Sequence, residues 1–421
     1  MSSSVHSPAD HHRPARGVVI AATVGNMVSM TTAVSSVFGV FLVPIADGYG
    51  WPRAQVTGVL GLIALVSVIA YPIAGRLIDR YGARRMLIIG HVLFGLSLLT
   101  IGLNNGDLWR FYVIFGLAGA IGALPSASMF SKLISEWFDE KRGLMLGIAN
   151  GLGNGIGATL MPVMAALFLG FFGWKTSYVL IGVMVLAIGF PVLFSLLKEA
   201  PHTTQDQTYL SSVKGLTLRE ASATPAFWLI LTTLGLGAGA LTAIFSHIVP
   251  VLTDRNISLG LATGVMSVLA LTCAAGQIGI GAILDRLRSP RLIAPAFVIA
   301  AASLFQLETG QTALWLIPAG IGLGIGLATA FGALPYFISR YFGLKHFGAI
   351  TGLIYAMVML AQGMTPLLMD IWYDHFGSYT GAIHITQIVL ICIAGLILAL
   401  PAFRDTTVNP GRAHNTLHTG L

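Results

Sequence analysis

The chain has 421 residues, of which 23 are basic and 16 acidic, so only 9% of it is charged, where a soluble globular protein carries roughly 25%. Apolar residues make up 55%, with 50 glycines and 18 prolines, which excludes a water-soluble domain and the collagen-like and disordered classes. The net charge of +7 therefore points to membrane orientation and not to nucleic acid.

The polar start, residues 1–16, carries His6, His11, His12, Arg13 and Arg16. The apolar run behind it lacks an A-x-A-like processing site, so it reads as a retained span. Apolar runs follow at 17–45, 54–75, 86–103, 109–133, 143–170, 174–197, 225–252, 260–283, 291–309, 312–338, 347–370 and 378–401. Each is long enough to cross a bilayer as a helix, which takes about 20 residues, so twelve transmembrane helices are expected. With the N-terminus in the cytoplasm, 19 of the 23 basic residues fall in cytoplasmic breaks. Only Arg53, Arg110, Lys175 and Arg255 fall outside, and this bias sets the orientation with both termini cytoplasmic.

The longest internal polar stretch, 198–224, divides the chain into an N-terminal unit, 17–197, and a C-terminal unit, 225–401, with tails 1–16 and 402–421. The units repeat one another. G-R-L-I-D-R at 75–80 returns as G-A-I-L-D-R at 281–286, W-F-D-E-K-R at 137–142 as Y-F-G-L-K-H at 341–346, and Pro162 as Pro366. The offsets, 204 or 206 residues, place the halves in the same sense. The expected fold is an all-α membrane protein, two parallel pseudo-symmetric six-helix bundles with a site at their interface.

The loop Gly75–Arg85, with Gly75, Gly82 and Arg84, resembles the signature loop of the major facilitator superfamily. Asp47, Gly48 and Trp51 resemble the acidic-Gly-x-x-Trp motif of its monocarboxylate porters and of the related oxalate/formate antiporter branch. The segments 137–151 and 245–258 are similar to that branch as well. The resemblance implies a transporter, with an arginine in the eighth span as partner of a substrate carboxylate. At the matching position this chain has Gly276-Gln277.

An ionisable group in mid-membrane costs a few kcal/mol and is a functional candidate by default. Lys132, Arg110, Glu308 and Asp370 lie near span ends, where snorkelling suits a structural role. His247, beside the proline of H-I-V-P, is the candidate for substrate and proton contact. His91 and His384 read as structural. Asn26, Asn150, Asn154, Gln277 and Gln362 supply hydrogen bonds without charge, and Tyr336 and Tyr355 add a hydroxyl on an apolar ring. All are candidate substrate contacts, weighed against interhelical hydrogen bonding. The glycine run Gly147–Gly157 sits inside a span, where small residues permit close helix packing and no nucleotide loop is implied.

Asp79, Arg80, Glu136 and Arg142, with Asp285, Arg286, Arg340 and Lys345, are expected to form ion-pair clusters that close the cytoplasmic side as a gate. Cys273 and Cys392 fall in separate apolar runs, so no disulfide framework or metal spacing arises, and neither metal nor cofactor nor catalytic group is expected. The reading is a monomeric secondary transporter of a bacterial inner membrane. Its solute is a small organic acid, a monocarboxylate or aromatic acid, with a coupled proton. A neutral or amphipathic solute such as a peptide, siderophore or xenobiotic is the alternative, and a membrane receptor or scaffold the remote one.

Overall fold

A computed structural model describes residues 8–200 and 215–403, and side chains from residue 14 onward. Residues 1–7, 201–214 and 404–421, which hold much of the expected tails and linker with Lys214, Arg404 and Arg412, lie outside the described residues.

The described chain is helical almost throughout. The membrane helices are α1 (Pro14–Tyr49), α2 (Arg53–Tyr81), α3 (Ala83–Ile101) and α4 (Leu108–Trp137). Next comes a continuous stretch, Arg142–Leu196, of 55 residues. At 1.5 Å per residue it would measure about 80 Å if straight, far beyond a hydrocarbon core of about 30 Å. Gly173 breaks it, with φ 72° and ψ 165°, a conformation open to glycine and costly for other residues. The stretch is therefore two crossings, α5 (142–172) and α6 (174–196). The second bundle follows as α7 (Pro225–Thr253), α8 (Leu259–Leu287), α9 (Pro290–Thr309), α10 (Ala313–Phe342), α11 (Phe347–Phe376) and α12 (Thr380–Leu398).

Among the described residues there are thus twelve crossings, in two bundles of six. Outward faces are apolar, as at Leu65, Ile69 and Ile73 along one side of α2, which is what lipid contact requires. Several helices outrun their apolar stretches. The helix after Arg53 continues through Arg76, Asp79 and Arg80 to Tyr81, because charges are tolerated where a helix leaves the hydrocarbon.

Between the bundles α2 lies against α11, and α5 against α8. The approach is close enough that a Cβ on Gly75 would overlap the Gly348 carbonyl, and one on Gly281 the Gly143 carbonyl. These two contacts are related by the internal repeat, and both sit at the end of the molecule that carries the basic loops. The interface is therefore sealed at that end by backbone packed on backbone.

Candidate functional site

Three interruptions in the first bundle converge on one place. α1 widens into a π-turn at Thr31–Ser35, α5 does so at Ile148–Leu152, and α4 breaks where Ser126 is extended, with φ −94° and ψ 160°. Irregular backbone at membrane depth is tolerated only where protein or a cavity satisfies it. Here Ser126 Oγ donates to the Ala123 carbonyl at 2.8 Å and lies 2.8 Å from Ser128 Oγ, while Thr32 Oγ1 donates to the Ser29 carbonyl at 3.1 Å.

Ser29, Thr31, Ser126, Ser128 and Asn150 from these breaks line a cavity of about 340 Å³. The second bundle completes it with Thr242, Phe245, Cys273, Gln277, Tyr355 and Gln362. Tyr71 from α2 and Tyr355 from α11 stack across the bundle interface, 6.3 Å between centroids at 13°. Among the described residues no Asp, Glu, Lys, Arg or His lines this cavity. It offers hydroxyls, amides and aromatic faces, and no counter-charge.

Of the eight residues that the sequence nominates for substrate contact, Asn150, Asn154, Gln277, Tyr355 and Gln362 line the cavity. Their amides are not equally free. Asn150 Nδ2 donates to Ser131 Oγ at 3.1 Å, and Asn154 Nδ2 to the Asn150 carbonyl at 3.0 Å. Among the described residues Gln277 Nε2 reaches only Cys273 Sγ, at 3.9 Å, and Gln362 Nε2 is buried without a partner. A ligand acceptor would satisfy these last two donors.

The other three are placed elsewhere. Asn26 is fully buried behind the cavity wall, its Nδ2 donating to the Ala149 carbonyl and to Asn150 Oδ1, both at 3.0 Å. It braces α1 on α5. Tyr336 lies near the basic end of α10 and donates to the Leu284 carbonyl at 3.0 Å, with Arg340 over its ring at 5.3 Å. His247 points away from the cavity, toward Asp370 of α11, with Nε2 2.7 Å from Oδ1. Asp370 is therefore more than a snorkelling end residue. His91 Nε2 faces the Val185 carbonyl at 3.1 Å and His384 pairs with Glu308 at 3.0 Å, both away from the cavity lining.

The motif residues divide by role. Trp51 packs on Tyr49 and Phe111, with centroids 4.6 and 5.4 Å away, while Asp47 and Gly48 are exposed in the last turn before it. Arg84 closes the end of α6, Nε donating to the Leu197 carbonyl at 2.6 Å and Nη2 to Phe194 at 3.2 Å. Its backbone N–H donates to Glu199, and Gly82 beside it has φ 88°.

The charged residues expected to form a gate are arranged differently from the expected ion-pair clusters. Asp79 accepts the backbone N–H groups of Gly348 and Ala349 at 3.0 and 2.7 Å, the first turn of α11. Asp285 accepts those of Gly143 and Leu144, both at 2.8 Å, the first turn of α5. Each loop aspartate thus caps a helix of the opposite bundle, where unpaired N–H groups and the helix dipole favour an anion. Lys132 backs Asp79 at 2.5 Å and lies 3.8 Å from Glu136 of its own helix.

Among the described residues, one side-chain ion pair crosses the bundles, Arg340 to Asp139 at 2.9 Å. Arg142 shares that carboxylate at 3.1 Å and reaches Ser339 Oγ across the interface at 3.2 Å. Arg80, Arg286 and Lys345 are exposed and enter no ion pair among the described residues. Helix N-termini take the place that the sequence reading gave to these cations.

Residues 24–366 match the Major Facilitator Superfamily. The chain belongs to that superfamily. It is an integral membrane transporter for small molecules and not an enzyme. The chain is 24% identical over 370 residues to an uncharacterized MFS-type transporter, YcxA, of Bacillus subtilis, covering 85% of this chain and 86% of that one. It is 26% identical over 368 residues to human monocarboxylate transporter 11, covering 83% and 75%. The solved proton:xylose symporter XylE superposes with a TM-score of 0.71 at 13% identity, over 92% of this chain and 96% of that one; at that identity the likeness concerns the fold.

Ser29, Thr31, Tyr71, Ser126, Ser128 and Thr242 escaped the sequence reading, and Asp370 was placed there only as a helix-end acid. L-P-S-A-S at 124–128, inside an otherwise apolar span, carried a readable signal, since proline in a helix frees a backbone carbonyl. The π-turns of α1 and α5 have no comparable mark.

Proposed function

We propose that this transporter moves a small organic acid, a monocarboxylate or aromatic acid, together with one proton, by alternating access of its two bundles. The observation that carries the reading is the uncharged cavity enclosed between bundles that are sealed at one end. A lone carboxylate moved into such surroundings loses its hydration without gaining a counter-charge, at a cost of several kcal/mol. A proton carried with the acid, on the solute or on the protein beside it, makes the transfer electroneutral and offsets part of that cost. The similarity to a human monocarboxylate transporter supports the solute class, and the stacked Tyr71 and Tyr355 suit a flat apolar body.

In this reading the sealed, basic end faces the cytoplasm of a bacterial cell, as do both termini, and the structure is the outward-facing half of the cycle. Units 17–197 and 225–401 rock about the cavity while Asp79 and Asp285 leave and regain their helix caps. The protein works as a monomer in the inner membrane. Asn150, Asn154, Gln277, Tyr355 and Gln362 contact the solute.

Gln277 favours a second reading, transport of a neutral or amphipathic solute, because its amide provides hydrogen bonds and no charge. Liposomes holding the purified protein separate the two. Labelled lactate and benzoate should enter against unlabelled acid, while lactamide and benzamide neither enter nor compete. Gln277→Arg, which adds the missing counter-charge, should tighten binding of both acids. Uptake of the amides with no flux of either acid would replace the first reading with the second.

A further inference from the structure

We propose that His247 and Asp370 together form the proton-binding site of the transport cycle, outside the solute cavity, and that the structure holds this site loaded. The inference rests on the proton coupling proposed above.

Both ring nitrogens of His247 face acceptors. Nδ1 lies 2.8 Å from the Ala243 carbonyl and Nε2 lies 2.7 Å from Asp370 Oδ1. A carbonyl only accepts, so Nδ1 carries a hydrogen and donates it. The contact at Nε2 then requires a second proton, either on the ring, which donates to the carboxylate, or on Asp370, which donates to the ring. A neutral histidine of that tautomer beside an ionised aspartate would set a lone pair against an oxygen at hydrogen-bond distance. The observed geometry thus holds one proton more than the unloaded pair.

The pair has one buried and one open member: His247 is 7% exposed, while the side chain of Asp370, its partner from the neighbouring helix, is 56% exposed. Tyr379, leading into α12, covers the ring with its centroid 5.5 Å away. One turn farther along α11 stand Tyr373, stacked on Tyr379, and Asp374, and the end of α7 contributes Asp254. Among the described residues Asp370 pairs with no other cation. Arg255, the nearest basic residue in sequence, is engaged by the carbonyls of Leu307 and Gly310.

The site lies on the same helices as the cavity. Thr242 and Phe245 of α7 and Tyr355 and Gln362 of α11 line it, with His247 two residues past Phe245 and Asp370 eight residues, about two turns, past Gln362. The loaded pair is neutral overall and the unloaded pair carries one negative charge. A unit charge about 10 Å from a bound carboxylate, at an effective dielectric of about 20, weakens its binding roughly tenfold or more. Proton loading therefore favours entry of an organic anion, and by linkage the anion raises proton affinity by the same factor. Loss of the proton also removes the attraction that holds α7 to α11 at this level, which lets them part there while Thr365 Oγ1 still donates to the Gly239 carbonyl at 2.6 Å nearer the cavity.

The test has an arm without solute. In protein labelled with ¹⁵N-histidine, the ring signal absent from His247→Gln should show both nitrogens protonated while α7 and α11 are paired. On raising the pH it should change to a neutral ring, in step with separation of spin labels on those helices beyond Asp370. Asp370→Asn, which keeps shape and removes charge, should abolish that coupling. A His247 ring that titrates with no change in the α7–α11 distance, or a neutral ring while the pair is closed, would overturn the proposal.

The second arm uses labelled lactate in liposomes. His247→Gln and Asp370→Asn should each lose at least tenfold of the accumulation that an imposed pH gradient drives, and lactate exchange at equal pH should weaken more in His247→Gln, which leaves Asp370 charged, than in Asp370→Asn, which leaves the site neutral. Gradient-driven accumulation unchanged in both variants would also overturn the proposal. If wild-type protein moves no acid while the first arm succeeds, the failure belongs to the solute assignment and the proton site stands.

Discussion

Replacing Asp79 by Asn should unlatch the sealed end of the molecule. The carboxylate accepts two N–H groups of the first turn of α11, at 3.0 and 2.7 Å, and Lys132 at 2.5 Å. An asparagine keeps one acceptor and turns an amide donor toward a donor. The loss combines a helix-terminus interaction, up to about 2 kcal/mol when partly buried, with charge-assisted hydrogen bonds of about 1.5–3 kcal/mol. A net loss of about 2–3 kcal/mol in the sealed state alone shifts the equilibrium toward opening roughly 30- to 150-fold, at about 1.4 kcal/mol per factor of ten. Spin labels at Arg80→Cys and Arg286→Cys, both exposed and outside the ion pairs, would report the change in a Cys273→Ser, Cys392→Ser background. Asp79→Asn should move the inter-bundle distance distribution to longer values. Asp285→Asn should do so less strongly, because among the described residues no lysine contacts Asp285 as Lys132 contacts Asp79. Asp47→Asn, exposed in the α1–α2 turn at the opposite end, should leave it unchanged. A distribution for Asp79→Asn identical to wild type would refute the capping argument.

Gly75→Ala and Gly281→Ala should open the same end without touching a charge, since the added methyl meets the Gly348 or Gly143 carbonyl; the same spin-label pair should lengthen, with slower solute exchange. Asn26→Ala should lower stability by about 1–3 kcal/mol, because it strands the polar partners of a fully buried amide; thermal unfolding in detergent should move down while solute affinity in the remaining folded protein stays close to wild type. Trp51→Ala should cost about 3 kcal/mol or more from the packing against Tyr49 and Phe111, read as reduced yield of folded protein, and Trp51→Phe should recover most of it.

Hydropathy and charge made the helices legible, and their errors are instructive. The span expected at 54–75 is a helix from Arg53 to Tyr81, because apolar length measures the hydrocarbon crossed and not the hydrogen-bonded helix. The repeat of G-x-x-x-D-R marked Gly75 and Gly281 as equivalent positions in the two halves, but not the contacts that each makes. It could not show that Asp79 and Asp285 would choose backbone N–H groups over the arginines nearby, since that depends on where α11 and α5 begin in space. His247 was recognisable as unusual, yet its partner Asp370 stands 123 residues away and looked like an ordinary helix-end acid. Tyr336 was misplaced for a related reason. Sequence gives its helix and not its depth, and six residues from the end of α10 it lies below the cavity. The serines and threonines of the cavity went unnoticed because hydroxyls are common in membrane helices, where most bond their own backbone as Thr23 bonds the Val19 carbonyl at 2.8 Å.

Electroneutral transport of an acid with its proton is open to one decisive measurement. Liposomes containing the protein are given labelled lactate outside, first with an inward proton gradient at zero membrane potential, then with a potassium-valinomycin potential of either sign and no pH gradient. The uncharged cavity and the loaded His247–Asp370 pair call for accumulation in the first condition and none in the second. Accumulation that follows the potential, or that is indifferent to the proton gradient, would contradict the reading.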